Sequence, residues 1–558
     1  MKIKGAAAIV KCLLEQNATT VFGYPGGQII DLFDELYREP KITSVLTSHE
    51  QGAAHAAEGY AKATGKVGVV IATSGPGATN LVTGIADAYL DSVPLVAITG
   101  NVPVPLLGRD SFQEVDIAGI TMPVTKHNFI VKNAQDLPDV IRRAFSLAKS
   151  GRQGPVLVDV PKDVQQAMIE YEQKPSDPPS APTEPKDITA AVNLINAAKR
   201  PVIYAGGGCI ASDASEQLTQ FAERIKAPVA LSVMGLSALP KTSKYYAGMI
   251  GMHGHASVAR LIGQSDLVIA AGARFSDRVA GDRTKFCKHA KILHIDIDAA
   301  EIDKNVTTDA HICGDVKQTL ELLNARVEQK ADETMLQLNA ELKREYPLPD
   351  CKGKLSPRTV IRYVSAHARD AIVATDVGQH QMWVAQEYSF PAPRTFLTSG
   401  GLGTMGFGLG AAIGGAVGTG KRAVLFTGDG SFHMNMNELA TATRLNLPIT
   451  VFVFDNRTLG MVRQWQTLFY GGRYSSTNLD GNKTDFVKIA EAFGAKGYIL
   501  DDDKDVAKIV DTALSENGVT VVDCKIDRDE FVLPMIPPGK TMNDIITSLD
   551  EPKKENRQ

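Results

Sequence analysis

Short β-branched apolar runs alternate with Ala-rich, helix-length stretches along this chain, and that alternation limits its fold more than any other feature. The runs fall at 67–72, 95–99, 156–160, 202–205, 267–271, 292–297, 372–375, 423–427, 449–454 and 519–522. They lack the period-2 alternation of a strand with one wet face. Strands of a parallel sheet read this way because helices cover both of its faces. The expected fold class is therefore α/β, built of doubly wound parallel sheets. A chain of 558 residues, at about 100–200 residues per domain, divides into roughly three such units.

Proline places the boundaries. Five of the eleven residues from Pro175 to Pro185 are proline, a density that neither helix nor sheet sustains, so this stretch reads as an extended linker. A second break lies at 345–356, where Tyr346-Pro-Leu-Pro-Asp350 ends a charged helical stretch. The expected units are 1–172, a linker at 173–185, then 186–343, then 354–535, with a polar tail at 536–558. The first and third units echo each other. Thr73-Ser-Gly-Pro-Gly-Ala-Thr-Asn80 and Thr398-Ser-Gly-Gly-Leu-Gly-Thr-Met405 each precede a helix and a further strand.

Charge excludes some partners. Lys+Arg number 59 against 63 Asp+Glu, a net −4 without long like-charge blocks, which argues against a nucleic-acid or anionic-membrane surface. The six cysteines lie far apart with no C-x-x-C pair, as in a reducing cytosol. Apolar stretches are strand-sized, far below the roughly 20 residues of a membrane span, and fold-like sequence begins within the first dozen residues. The expectation is a soluble cytoplasmic protein without signal or transit peptide.

Chemistry is concentrated in Gly428-Asp429-Gly430-Ser431 and in Asp455-Asn456, 27 residues on from Asp429 to Asn456. Each cluster follows a strand, at the carboxyl end where open α/β sheets bind ligands. Asp429 and Asn456 offer hard oxygens for Mg²⁺, and the N–H groups of Gly430 and Ser431 at a helix start suit a diphosphate. A lone Gly-Asp-Gly would be no more than a turn before a capped helix; the second cluster changes that reading. Gly415-Ala-Val-Gly-Thr-Gly-Lys421 approaches a phosphate-binding loop, but Arg422 stands where Ser or Thr belongs and a strand follows rather than precedes. His253 and His255 lack a matching pair for zinc, and no G-x-S-x-G elbow occurs.

The paired clusters resemble the thiamine diphosphate (ThDP) motif, in which Gly-Asp-Gly is followed at this distance by Asn-Asn; here Asp455 replaces the first Asn. The resemblance implies metal ligation by the Asp429 and Asn456 side chains and a carbonyl near Thr458. It also implies a glutamate on another unit that protonates the aminopyrimidine. Glu50, opening the Ala-rich stretch after Thr47-Ser-His49, is the candidate; a carboxyl in apolar surroundings can share a proton with a ring nitrogen.

An ordered set of further motifs narrows the family. Tyr24-Pro-Gly-Gly27, His49-Glu-Gln-Gly52, Asp110-Ser-Phe-Gln-Glu-Val-Asp116, Lys126-His127 and Gly154-Pro-Val-Leu-Val-Asp-Val-Pro-Lys-Asp163 resemble acetohydroxyacid synthase large catalytic subunits. So do Gly251-Met-His-Gly254, Gly272-Ala-Arg-Phe-Ser-Asp-Arg278, Val377-Gly-Gln-His380 and Gly460-Met-Val-Arg-Gln-Trp-Gln466, from about residue 5 to Gly539. This resemblance implies three doubly wound domains binding pyrimidine, flavin and diphosphate. ThDP would be held by Glu50, Val377, Gly378, Gln379, His380, Gly403, Met405, Asp429, Gly430, Ser431, Asn456 and Met461, with Met405 bending the cofactor. Gly206-Gly-Gly208 after the strand at 202–205 is a glycine turn, and the resemblance implies FAD contacts there. Arg152, Gly206, Gly207, Gly208, His253, Gly272, Arg274, Asp296 and Asp315 are the expected FAD residues, with FAD structural rather than redox-active. Phe275-Ser-Asp departs from the commoner Phe-Asp-Asp.

The implied reaction decarboxylates pyruvate on ThDP and ligates the two-carbon unit to pyruvate or 2-ketobutyrate, on the route to branched-chain amino acids. Phe112, Lys162, Met252, Arg278 and Trp465 would contact substrate, Trp465 and Met252 at the alkyl group and Arg278 at the carboxylate. Catalytic Glu50, Gly27 and Gln113 would reach a neighbouring subunit's cofactor, so a homodimer or homotetramer is expected, and the resemblance suggests a small regulatory subunit. The rivals are a catabolic, flavin-free acetolactate synthase, a flavin-dependent pyruvate oxidase, and a cofactor-binding paralogue without activity. A nicotinamide dehydrogenase lacks its fingerprint here.

Overall fold

The computed structural model describes residues 1–175, 185, 187–351 and 353–549. Most of the expected linker, at 176–184, and the end of the expected tail, at 550–558, lie outside the described residues. All ten expected strands form, within three six-stranded parallel sheets. The α/β class and the doubly wound parallel sheets are as the sequence implied.

The first sheet takes Thr20–Tyr24, Thr43–Leu46, Gly68–Ala72, Leu95–Asn101, His127–Ile130 and Pro155–Pro161, in spatial order 2-1-3-4-6-5. The second takes Pro201–Ala205, Val229–Leu231, Tyr246–Met249, Leu267–Ala271, Lys291–Asp296 and Ala310–Cys313, in order 3-2-1-4-5-6. The third takes Ile372–Thr375, Phe396–Leu397, Ala423–Gly428, Ile449–Asp455, Lys496–Leu500 and Thr520–Lys525, again in order 2-1-3-4-6-5. The echo between the first and third units is thus a shared topology. An antiparallel ribbon of Lys2–Lys4 and Met168–Glu170 closes the first unit.

Strand order reverses beside the first strand of each sheet, and such a switch point opens a crevice at the carboxyl ends. In the third sheet the crevice lies between the ends of Ile372–Thr375 and Ala423–Gly428, in the second between Pro201–Ala205 and Leu267–Ala271, in the first between Thr20–Tyr24 and Gly68–Ala72. Those three places are where the sequence motifs fall.

The units share cores. Helix Glu50–Thr64 of the first packs along helix Phe407–Thr419 of the third, in one cluster with Ala53, Ala57, Leu409 and Ile413. Small residues permit the approach: a Cβ on Gly414 would collide with the Ala56 carbonyl oxygen, and one on Gly59 with the backbone of Ala411. Ile203 and Leu293 of the second unit share another cluster with Trp383 and Phe454 of the third. The phosphate-loop look-alike is the end of helix Phe407–Thr419, which Gly420 stops in the left-handed conformation (φ 67°).

Candidate active site

At the third sheet's switch point, strand Ala423–Gly428 runs straight into helix Asp429–Asn435. Asp429 is therefore fixed at the mouth of the crevice and is buried. Burial, and the negative charge of adjacent Asp455, push its carboxyl up to about 7. Removing water from a carboxylate disfavours its charged form unless a cation sits beside it. The Ser431 hydroxyl donates to the Val377 carbonyl at 3.1 Å, tying the two edges of the crevice together. Asn456, at the end of the next strand, accepts from the Thr458 N–H at 3.1 Å and donates to Gln379 Oε1 at 3.3 Å. Gln379 in turn donates to Gln464 Oε1 at 3.2 Å and to the Glu530 carbonyl at 2.8 Å. His380 is buried there, with burial pushing its imidazole down to about 3 and its Nε2 unpartnered.

In the second sheet's crevice, Gly206 and Gly208 meet Gly272 backbone to backbone; a Cβ on Gly208 would lie 2.6 Å from the Gly272 Cα. Gly272 has φ 54°, which favours glycine on its own. Arg274 donates to the Leu90 carbonyl at 2.8 Å, while Arg152 pairs with Glu301 at 2.9 Å and Asp298 at 3.4 Å. Asp296 and Asp315 complete the acidic side, and burial raises both carboxyls. His253 is buried with an unpartnered Nδ1.

These two crevices are one cavity of about 920 Å³. Every expected ThDP, metal and FAD residue lines it except Glu50. At the end near Met461 stand three expected substrate residues. Arg278 Nη1 lies 3.5 Å from the Met252 sulfur, and its guanidinium sits over the Trp465 ring, 5.8 Å from the centroid. A cation against an apolar wall suits a carboxylate that carries a short alkyl group.

Glu50, Gly27, Gln113, Phe112 and Lys162 are absent from the described residues lining this cavity. Four of them gather instead at the first sheet's switch point, around Thr73–Gly77. Glu50 Oε2 accepts from Asn80 at 3.0 Å, and its Oε1 lies 3.2 Å from where a Cβ on Gly77 would stand. Lys162 donates to the Gly27 carbonyl at 2.8 Å, and Gln113 packs against Gly75, whose φ is 59°. Phe112 projects beside them, 84% exposed. This cluster is separate from the cavity, with Gly27 and Phe112 exposed to the outside of the chain.

Known proteins fit this arrangement. Models of three domains of thiamine pyrophosphate enzymes (another name for ThDP enzymes) match the chain: the N-terminal TPP binding domain over 3–120, the central domain over 188–323 and the C-terminal TPP binding domain over 376–524. The probable acetolactate synthase large subunit of Methanocaldococcus jannaschii is 45% identical, with 100% of this chain and 97% of that one aligned. The acetolactate synthase large subunit of Corynebacterium glutamicum is 46% identical over 98% of this chain and 90% of its own. Acetolactate synthase isozyme 1 large subunit of Escherichia coli K12 is 44% identical over 98% of both. The chain belongs to the acetolactate synthase large-subunit family.

Where this member departs from the family's Asn-Asn motif, its surroundings compensate. Asp455 is buried, and its carboxylate accepts from Lys525 at 2.6 Å and Arg457 at 3.1 Å, while Lys525 also holds Asp523 at 2.6 Å. Sequence reasoning missed other cavity residues, among them Met234, Ser212, Gln381 and Leu402. Gln381 follows the Val377–His380 motif directly and could have been found by extending it; Met234 carries no local signal.

Proposed function

We propose that this chain is the catalytic subunit of an acetohydroxyacid synthase. It decarboxylates pyruvate and ligates the resulting two-carbon unit to pyruvate or 2-ketobutyrate, giving 2-acetolactate or 2-aceto-2-hydroxybutyrate for branched-chain amino-acid synthesis. One observation carries the reading: the Asp429–Asn456 crevice and the Arg278–Met252–Trp465 pocket open into the same cavity. A decarboxylase alone would have no need of a second ketoacid site.

Asp429 and Asn456, with the Thr458 carbonyl, would hold Mg²⁺; the buried Asp429 carboxyl suits a divalent cation. Gly430 and Ser431 would take the diphosphate at the helix start, with Val377, Gly378, Gln379, His380, Gly403, Met405 and Met461 about the rest of ThDP. When bound, ThDP supplies the electron sink for decarboxylation. Glu50 would hold a proton toward a ring nitrogen of that cofactor, with Gly27 and Gln113 beside it. The bare Gly206–Gly208 and Gly272 backbone, the arginines and the two acids fit FAD in a structural role, its hydroxyls suiting Asp296 and Asp315.

Glu50 does not line the cavity of its own chain, which supports a homodimer or larger homo-oligomer with sites between subunits. A small regulatory subunit is a further expected partner. Six free cysteines support a reducing cytoplasm; among the described residues no helix is long and apolar enough to cross a membrane.

The test is incubation of purified protein with pyruvate, ThDP, Mg²⁺ and FAD. Acetolactate should form without oxygen uptake, and added 2-ketobutyrate should yield the mixed product. Oxygen consumption matching CO₂ release would move the chain to the oxidases, and full activity without flavin to the catabolic synthases.

A further inference from the structure

Against the wall of this cavity, which Asp91 and Ser399 line, a cluster of buried charge joins the first unit to the third. Lys62 of helix Glu50–Thr64 pairs with Glu58 at 2.8 Å and Asp91 at 2.7 Å, and donates to the Thr398 carbonyl at 2.6 Å. Asp87 accepts from the Ser399 hydroxyl at 2.7 Å. Ser399 Oγ then accepts from the Gly403 and Thr404 N–H groups at 3.0 and 2.9 Å. Asp91 accepts from the Gly400 and Gly401 N–H groups at 3.1 and 2.6 Å. The side chains of Glu58 and Asp91 are fully inaccessible, and Asp87 is 0% exposed.

His55, Glu58 and Asp87 come close enough to suggest a metal site. The Lys62 ammonium already pairs with Glu58, so that carboxylate is committed to a lysine. Three acids and one lysine in a dry interior are expensive to bury, and in some proteins such groups serve to fix one conformation rather than to add stability. What they fix here is specific. Four backbone N–H groups of the 400–404 turn end on first-unit carboxylates, directly or through Ser399, and Gly400, Gly401, Leu402, Gly403 and Met405 all line the cavity. The segment behind them is itself anchored, because the Leu90 carbonyl accepts from Arg274 and the Ser92 hydroxyl from Arg152 at 2.9 Å.

We propose that Asp91, charge-paired with Lys62, and Asp87, bonded to Ser399, are positioning residues that hold the 398–404 turn, and with it Gly403 and Met405, against the thiamine end of the cavity. The proposal rests on the reading of ThDP in that cavity. It makes the first unit of each chain responsible for two things: half of a site elsewhere, through Glu50, and the wall of its own chain's cofactor, through Asp87 and Asp91.

The test uses full-length, FAD-loaded enzyme and ThDP titrated in the presence of Mg²⁺, read by calorimetry and by turnover. Asp91→Asn should raise the ThDP half-saturation concentration about tenfold, the effect of losing one charge-assisted hydrogen bond. Pyruvate KM and flavin content should stay as in the wild type. Ser399→Ala, which leaves the charge cluster intact and so guards against a folding defect, should raise it about threefold. Lys62→Met should follow Asp91→Asn, and Lys62→Arg should recover the affinity that Lys62→Met loses. Amide exchange in the 398–405 peptide should quicken in Asp91→Asn and Ser399→Ala. Unchanged ThDP affinity in both of these variants, or a change confined to pyruvate KM, would overturn the proposal. Absence of ThDP binding by the wild-type protein would instead sink the functional reading, and this proposal with it.

Discussion

Asp455 illustrates how a single residue's charge is decided by its neighbours. A carboxylate beside Asp429 repels it, yet Lys525 and Arg457 both reach Asp455, so the strand end tolerates a residue one atom type away from the Asn of the motif. Glu50 stands in the opposite situation, with Asn80 its one side-chain partner among the hydrogen bonds described. A group left so free can exchange a proton with a ligand. Glu50→Gln should therefore lower turnover by about 10²–10⁴-fold, the range for a positioned acid–base group, while ThDP binding by calorimetry persists. Near-normal turnover would remove Glu50 from the chemistry. Trp465 is the residue proposed to set acceptor selectivity. It packs with Met252 against Phe531, Leu533 and Met535 and forms the apolar wall below Arg278. One methylene in such a pocket is worth roughly 1–3 kcal/mol. Trp465→Leu should collapse the preference for 2-ketobutyrate over pyruvate in an acceptor competition, with acetolactate formation retained. An unchanged product ratio in an active variant would return Trp465 to a packing role.

At the scale of elements, helix Glu50–Thr64 matters because it carries Glu50 at one end and Lys62 at the other. Glu438 of the third unit stabilises its start, accepting from the His49 N–H at 2.9 Å and the Ser48 N–H at 3.1 Å. Gly414→Ala, driving a methyl into the Ala56 carbonyl, should cost about 1–3 kcal/mol or more by overpacking, seen as a lower melting temperature and slower turnover together. A normal melting temperature would show that the two helices can separate freely. The first sheet contains its own titrating element. Asp159, buried on strand Pro155–Pro161, accepts from Thr99 at 2.7 Å and Asn101 at 2.6 Å, and burial raises its carboxyl from 3.8 to about 6. The protonated form is favoured by folding, so its contribution is complete below pH 3.8 and is lost as pH rises through about 6. The loss amounts to about 3 kcal/mol. The melting temperature of wild type minus that of Asp159→Asn should fall between pH 4 and 6 and level off above; a flat difference would contradict it. Central strands such as Ala423–Gly428 and Leu95–Asn101 were legible because burial on both faces makes them continuous apolar runs. Edge strands such as Thr43–Leu46 and Lys496–Leu500 were not, since only one residue of each is buried and polar or glycine positions break the run. The Asp429 crevice was legible for a similar reason: Gly428-Asp429-Gly430 is one local turn. The clamp on the 398–404 turn joins residues more than 300 positions apart, and no local pattern announces it.

For the whole molecule, the decisive question is which chains share a site. Asp429 and Asn456 line the cavity of their own chain, whereas Glu50, Gly27 and Gln113 gather around the 73–77 turn outside it. If one chain's Glu50 serves another chain's cofactor, two different inactive variants can repair each other. In a mixed dimer of Glu50→Gln and Asp429→Ala subunits, one site joins both lesions and is dead. The other joins the intact Glu50 of the second subunit to the intact Asp429 of the first. After dissociation and random reassociation of equal amounts, half the dimers are mixed and one of their two sites is whole, so about a quarter of wild-type activity should return from two nearly inactive preparations. The measurement is acetolactate formation before and after remixing, with size-exclusion chromatography to show that subunits have exchanged. Sites built within a single chain would gain nothing from exchange, and activity no higher than the mean of the two parents would assign Glu50 to its own chain's cavity after all.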